Sequence, residues 1–482
     1  MRVPECAEVF DIFSKDKKFK QMKQFQTKYI GEYDVVIAGG GVSGSHAAIA
    51  AGRQGAKVLL IEQFGFLGGS LTAMGVGPMM SFHNRAGKQL VFGSPNEMVN
   101  RLIQKGASPG HILDGTGYCS TVTPFDAEML KIVLEDMILE AGVDILYHTR
   151  LIDISKKGKN INSVFIHNRG GIQEVKAKFF IDASGDSELV KLAGVPFSVG
   201  RSEDGKSQPL TMNVKIGNVN SRVLREYMAK NWDQFDDKIR NDDKEKVLNR
   251  TARISLWGFY DLWEKAKAKG EVTVPRDNVL FFETNTEGEF IFNTSRILGM
   301  DPTNPFDLSK AETMGRKQCL EIYQFLKKYA PGFENSTIVS TAPHIGIRES
   351  RHPFASYVLS SEDLVTERKF DHPIAVGGYP IDIHSPDGQT TESVHLRAEG
   401  LYYIPVESLL VNEIDNLILA GRAIGADHHA SAAIRVTPIA MAIGQGAGTL
   451  AGLAVSNNTL PMKVEYAKLA IQLKENGVYL GE

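Results

Sequence analysis

Residues Gly39–Gly44 read Gly-Gly-Gly-Val-Ser-Gly, between a short apolar run, Asp34–Ala38, and a stretch from Ser45 to Gln54 with alanines at helical spacing. No other feature limits the fold as strongly. An unbroken apolar run of this length suits a strand buried on both faces. The glycines that follow fit the pattern G-x-G-x-x-G. One makes a tight turn, the next lets backbone approach a pyrophosphate, and the third lets the helix pack on the strand. The free N–H groups and positive dipole end of that helix attract an anion. Lys57–Ile61 reads as a second buried strand ending at Glu62, which completes a βαβ unit. Glu62 falls about 20 residues past the turn, where a carboxylate accepts hydrogen bonds from ribose hydroxyls. Its charge would repel a 2′-phosphate, which argues against NADP and leaves NAD and FAD.

Three later features favour FAD. Gly68-Gly69 follows the second strand. Ala183-Ser184-Gly185-Asp186 ends another buried strand, Phe179–Asp182. Ala420-Gly421-Arg422 ends a third, Asn416–Ala420, and precedes a glycine- and alanine-rich helix starting at Pro438. A simple NAD domain needs none of these, whereas a flavin ring must be held beyond the pyrophosphate. A helix N-terminus beside the ring would stabilise the negative charge of reduced flavin.

Several longer segments carry a resemblance. Tyr33–Thr72 is similar to the FAD-dependent oxidoreductase family of the glutathione-reductase-like superfamily. The similarity continues in Pro124–Thr149, Phe179–Arg201, Ile345–Leu364, Pro380–His384 and Leu417–Gly448. The resemblance implies a Rossmann-like FAD domain with a substrate domain inserted over the flavin. It carries the family's cofactor positions to Gly39, Gly41, Gly44, Glu62, Gly68, Gly69, Asp182, Gly185, Asp186, Gly421, Arg422, Gln445 and Gly446. Val42, Ser43, Gln63, Ser70 and Ala183 stand beside these as further contacts. The expected fold class is α/β: a discontinuous Rossmann-like FAD-binding domain (33–210 and 396–482) with an inserted α+β substrate domain (211–395). Residues 1–32, lysine-rich and without periodicity, form an N-terminal extension outside the resemblance.

Other expected elements include an amphipathic helix over Phe125–Glu140, with Asp126 available near its start, and a strand over Val143–Tyr147. A meander follows at Leu151–Ile154 and Ser163–Asn168. The insert is expected to hold charged helices within Lys238–Lys269, aromatic strands at Val279–Phe282 and Glu289–Asn293, and a helix over Leu308–Tyr329.

The formal net charge of −3 and pI near 6.5 argue against a broad basic surface for nucleic acid or anionic lipid. The three cysteines, Cys6, Cys119 and Cys319, match no metal spacing and suit a reducing compartment. The N-terminus shows no signal-peptide pattern, and the apolar stretch Ile434–Val455 reads as a buried helix rather than a membrane span. The expectation is a cytoplasmic protein that acts on a small molecule, with no metal, nucleic-acid or membrane partner; the oligomeric state is not legible.

Flavin supplies redox chemistry, so the protein must supply orientation, charge and a proton acceptor. His428, beside His429 and just ahead of the helix from Pro438, is one candidate acceptor. Its alternative is simple packing between loop and helix. In Pro380-Ile-Asp-Ile-His384, Asp382 and His384 fall on one strand face and form a second candidate, an oriented base or a structural pair. Arg435 is a candidate for an anionic substrate or reduced flavin. Arg348, within Arg-Glu-Ser-Arg-His352, suits a carboxylate or phosphate, or else an ion-paired domain junction. Asn293, Thr294 and Arg296 are candidates for a hydroxylated substrate. Cys119 lacks a nearby resolving cysteine, and Tyr402 and Tyr403 read as core. The leading expectation is hydride transfer between a small polar substrate, such as a sugar or polyol derivative, and the flavin N5. The alternatives are a flavin monooxygenase using NAD(P)H and oxygen, and a flavin-holding redox sensor without turnover.

Overall fold

A computed structural model describes residues 27–235, 248, 251–388 and 391–482. Cys6, most of the expected N-terminal extension and part of the expected charged helices lie outside these. The chain opens with β1 (Lys28–Ala38), α1 (Val42–Arg53) and β2 (Val58–Ile61). The two strands pair in parallel, from Val35 opposite Val58 to Ala38 opposite Ile61. β1 therefore starts earlier than the apolar run. Its first half is exposed or half-buried, so it is defined by backbone pairing rather than by hydrophobic patterning.

Helix α2 (Ala127–Glu140) is capped by Asp126, whose carboxylate accepts from the N–H groups of Glu128 and Met129. β3 (Asp144–Leu146) then pairs in parallel with β2. β4 (Arg150–Lys157), β5 (Asn160–Asn168) and β6 (Gly171–Asp182) form an antiparallel meander. β6 is long enough to return beside β1 over that strand's whole length.

A second sheet follows: β7 (Val214–Gly217), β8 (Ser255–Gly258), β9 (Val279–Glu283), β10 (Phe290–Phe292) and β11 (Thr337–Thr341), in the order β8-β9-β10-β7-β11. Helix α3 (Pro305–Tyr329) covers it. The aromatic strands have their reason here, because Phe281, Phe290, Phe292, Phe325 and Phe333 build a separate core. That core spans Leu210 to Ile347, whereas Leu359, Ile374, Ile381 and Ile383 pack into the first core. The expected insert boundary at 395 thus lies well beyond the residues that share the second core. The hairpin of β12 (Ile381–His384) and β13 (Thr391–Val394) belongs by its buried residues to the cofactor domain.

The chain re-enters the first sheet at β14 (Leu417–Leu419), parallel to the end of β6. Helices α4 (His428–Ile434) and α5 (Thr437–Ser456) follow. α5 is long and apolar enough to cross a membrane, but 83% of its apolar window is buried inside the fold. Its glycines allow this. A Cβ at Gly444 would lie 2.1 Å from the Ser43 carbonyl oxygen, and one at Gly448 would lie 2.1 Å from that of Ala47. The spacing of four keeps both glycines on the face that meets α1, so the two helix backbones touch.

Candidate active site: the cofactor turn and the domain junction

The three motif glycines have separate reasons. Gly39 has φ +102°, and a Cβ there would lie 2.5 Å from the Ala183 carbonyl oxygen. At Gly44 a Cβ would lie 1.8 Å from the Gly39 carbonyl oxygen. Both positions are dictated by packing. Gly41 differs: it is the N-cap of α1, in extended conformation, and gives no side-chain cap. A Cβ there would meet nothing nearer than the Gly69 Cα at 3.8 Å. This open space lies at the helix end, where the first-turn N–H groups of Val42 and Ser43 lack helical acceptors. Ser43 Oγ is buried without a hydrogen-bond partner. Gly68 bridges Gly41, Gly69 presses on the Gly41 Cα, and Gly421 lies against the Ser43 side chain. Three backbone segments thus border this open space at a helix N-terminus, which fits a pyrophosphate.

Glu62 is buried at the end of β2. Its Oε2 accepts the Gly40 N–H at 2.8 Å and its Oε1 accepts the Phe64 N–H at 2.8 Å. Burial pushes its pKa up while these backbone bonds oppose the shift. The Gln63 N–H acts on it as well; a carboxylate has about four acceptor sites, so it can shape the turn and still accept from a ribose. Gln63 beside it is exposed, and Ser70 is half-buried next to Gly69.

Asp182 folds the return segment. It accepts from the N–H and hydroxyl of Ser184 and from the Val190 N–H, holding Ala183 against the turn. Arg422 donates to the Gly185 and Ile347 carbonyls and pairs with Asp186 at 2.7 Å. Asp186 also accepts from Ser350, so this cluster ties the cofactor domain to the start of the junction. Gln445 and Gly446 sit elsewhere. The Gln445 amide bonds Ser94 and the Asn476 carbonyl, and Gly446 makes room for Ile374. Both pack around α5.

Fold and turn together define an α/β dinucleotide-binding protein with a second, antiparallel domain. The family described as "FAD dependent oxidoreductase" matches residues 34–473, and the chain belongs to that family. No curated protein matches the sequence. Similar solved structures include a geranylgeranyl bacteriochlorophyll reductase-like protein from Thermoplasma acidophilum. It is 16% identical with a TM-score of 0.46, covering 92% of this chain and 84% of that one. Another is p-nitrophenol 4-monooxygenase from Pseudomonas putida, 12% identical with a TM-score of 0.41, covering 92% and 81%. A third is a triple mutant of the flavin-dependent brominase Bmp2, 14% identical with a TM-score of 0.45, covering 92% and 84%. The protein is an FAD-dependent oxidoreductase, and the open space at Gly41 suits its cofactor.

The remaining candidates divide into two groups at the junction. In the first, Glu349 is fully buried. Its Oε2 contacts His428 Nδ1 at 2.8 Å and His352 Nε2 at 3.0 Å, and its Oε1 accepts the Gln208 N–H. The two histidines hold the Glu349 carboxyl down at about 2 despite its burial. This trio is the one group of three such side chains among the described residues with ligand-type atoms all within 4.8 Å. Arg351 bonds Glu188 and the Asp186 carbonyl. The ion-paired junction alternative thus describes Glu349, Arg351 and His352, whereas Arg348 belongs to the second group, and His428 directs its Nδ1 to Glu349.

In the second group, Asp382 and His384 share one face of β12, with Asp382 Oδ2 and His384 Nε2 3.2 Å apart. His384 Nδ1 faces Thr391 Oγ1 at 3.2 Å. Burial, then Arg348, pushes the imidazole down to about 3, against the pull of Asp382. Burial raises the Asp382 carboxyl, but His384, Arg435 and Arg348 together hold it below the usual carboxylate range. Arg435 reaches the Asp382 carbonyl at 3.3 Å and its carboxylate at 3.9 Å. Arg348 donates to the Pro209 carbonyl and to Thr211 Oγ1. Gln208 links the two groups, since its side-chain oxygen accepts the His384 N–H.

Arg276 belongs here too. It is buried, donates to the Asn293 carbonyl and lies over Trp257. A lone arginine in a loop, 106 residues before the Asp382 it acts on, gave no sequence signal. Thr294 exchanges hydrogen bonds with the Leu280 backbone, while Arg296 donates to the Ser385 carbonyl. Cys119 is buried with its thiol pushed up by burial and by Asp114, which keeps it a protonated, poor nucleophile. Tyr402 and Tyr403 are buried core residues.

Proposed function

We propose that this protein transfers a hydride between a small polar organic substrate and N5 of FAD, and that His384 holds the accompanying proton. The Asp382–His384 pair at the domain junction carries the reading. FAD, when bound, supplies the two-electron chemistry. Removing hydride from a carbon that bears a hydroxyl or amine requires a base for the heteroatom's proton. With Nε2–H directed to Asp382, the Nδ1 lone pair of His384 meets the Thr391 hydroxyl at 3.2 Å, takes that proton once the hydroxyl turns away, and Asp382 stabilises the imidazolium that results. At neutral pH the imidazole is uncharged, the form a base needs.

His384→Ala tests this. The variant is expected to retain FAD while flavin reduction by substrate slows by about 10²–10⁴-fold, the usual contribution of a positioned acid–base group. Reduction at the wild-type rate would remove His384 from the chemistry.

A further inference from the structure

Four arginines gather about Asp382 at the junction, and a second carboxylate, Asp277, acts on two of them, Arg276 and Arg296. Arg435, Arg276 and Arg296 each act electrostatically on Arg348, and Asp382 is the acid that opposes them. They come from three separated parts of the chain: the insert (Arg276, Arg296), the strap after β11 (Arg348) and the end of α4 (Arg435). Their anchors are mostly neutral. Arg276 bonds the Asn293 carbonyl, Arg348 the Pro209 carbonyl and the Thr211 hydroxyl, and Arg435 the Asp382 carbonyl. Among the described residues, Asp382 is the one carboxylate within 4 Å of Arg276, Arg348 or Arg435, and it contacts only Arg435, at 3.9 Å. Asp382 is also shared with His384.

Such an arrangement is costly without a ligand. A buried charge is normally paired, because desolvation leaves an unpaired one several kcal/mol out of balance. Elsewhere the chain follows that rule: Arg351 meets Glu188 and Arg422 meets Asp186. At the junction the excess is positive, Arg435 Nε is buried without a partner, and Asp382 Oδ1 likewise. The orphaned groups flank His384, the residue assigned to the substrate.

We infer that the substrate carries a carboxylate, and that Arg348 and Arg435 bind it beside His384, with Arg276 adding to the positive field. This rests on the preceding assignment of His384 to the substrate side. A planar guanidinium matches a carboxylate in two-point geometry. An anion there would also relieve the repulsion that Arg348 and Arg435 exert on an imidazolium. Substrate binding therefore restores to His384 the proton affinity that a base requires, and a neutral analogue would leave it weak.

The test uses FAD-loaded protein titrated with sodium malonate, inorganic phosphate or malonamide, read by the perturbation of the visible flavin spectrum and by calorimetry. Malonate is expected to bind saturably, more tightly than phosphate, and malonamide not at all. Arg435→Met and Arg348→Met should each weaken malonate by about 10- to 100-fold, the effect of one lost charge-assisted hydrogen bond. Arg435→Lys should recover part of the loss. FAD content and melting temperature report whether each variant is folded. Equal binding of malonamide, tighter binding of phosphate, or unchanged malonate affinity in both Met variants would overturn the inference. So would arginine variants that shift the flavin potential and leave malonate affinity intact, since the arginines would then serve the flavin. Reduction of the flavin by neutral compounds alone would sink the carboxylate assignment and leave hydride transfer standing. Malonate binding without reduction by any compound would do the reverse.

Discussion

Gly41 and Gly44 are both motif glycines, yet replacing each by alanine should produce opposite failures. At Gly44 the new Cβ would lie 1.8 Å from the Gly39 carbonyl oxygen, with the Ala183 side chain 3.1 Å away. Neither the turn nor α1 can move without disturbing β1, so the expected cost is about 3 kcal/mol, at the upper end for an overpacked core. At Gly41 the backbone is extended and the nearest atom is 3.8 Å away. The apo fold should lose about 0.5–1 kcal/mol, the preference for glycine over alanine at an N-cap, which moves the melting of a chain this size very little. The added methyl instead occupies the space assigned to the pyrophosphate. Displacing the anion from one backbone N–H forfeits about 1.5–3 kcal/mol, which is roughly 10- to 150-fold in Kd. Thermal melting of the apoproteins measures the first effect, and quenching of FAD fluorescence on titration measures the second. Gly41→Ala should melt like wild type and bind FAD weakly; Gly44→Ala should melt early. A Gly41→Ala protein with wild-type FAD affinity would refute the placement of the pyrophosphate.

Glu349 gives a pH prediction. Its pKa falls from about 4.5 to about 2 in the fold through His352 and His428. A depressed carboxyl contributes stability that is full above its unfolded pKa and is lost as pH falls through the folded one. The stability advantage of wild type over Glu349→Gln, about 3 kcal/mol from this shift, should therefore be complete above pH 5 and shrink towards pH 2. Melting temperatures across that range check it, and an advantage that grows on acidification would contradict it. For the thiols, Cys119 and Cys319 are both buried. In a Cys6→Ser protein, a small thiol reagent should label nothing until denaturant is added.

The cofactor half was legible because it is local. A turn, a strand and Glu62 lie within about 30 residues, the length of one βαβ unit, and their spacing is imposed by the pyrophosphate. Asp382 and His384 were legible for the same reason, since strand alternation puts positions i and i+2 on one face. What sequence could not show is convergence across the chain. Arg276 and Arg435 act on the same carboxylate, and nothing local marks either as its partner. His428 shows the converse limit. Its position before α5 suggested the flavin, but Glu349, 79 residues earlier, engages the ring. Gln445 was similar: its partner Ser94 lies 351 residues away. The expected insert boundary at 395 falls after β12 because a hairpin looks like part of an antiparallel domain, whereas the buried Ile381 and Ile383 of β12 join the first core.

The most direct test is anaerobic mixing of the FAD-loaded protein with a panel of small hydroxy, amino and carboxy compounds, without NAD(P)H, while following the visible flavin band. The band should bleach with at least one carboxylate-bearing member, FAD should stay bound, and His384→Ala should bleach far more slowly. Bleaching by NADPH alone, with every small substrate inert, would contradict direct hydride transfer at this junction and favour the monooxygenase reading.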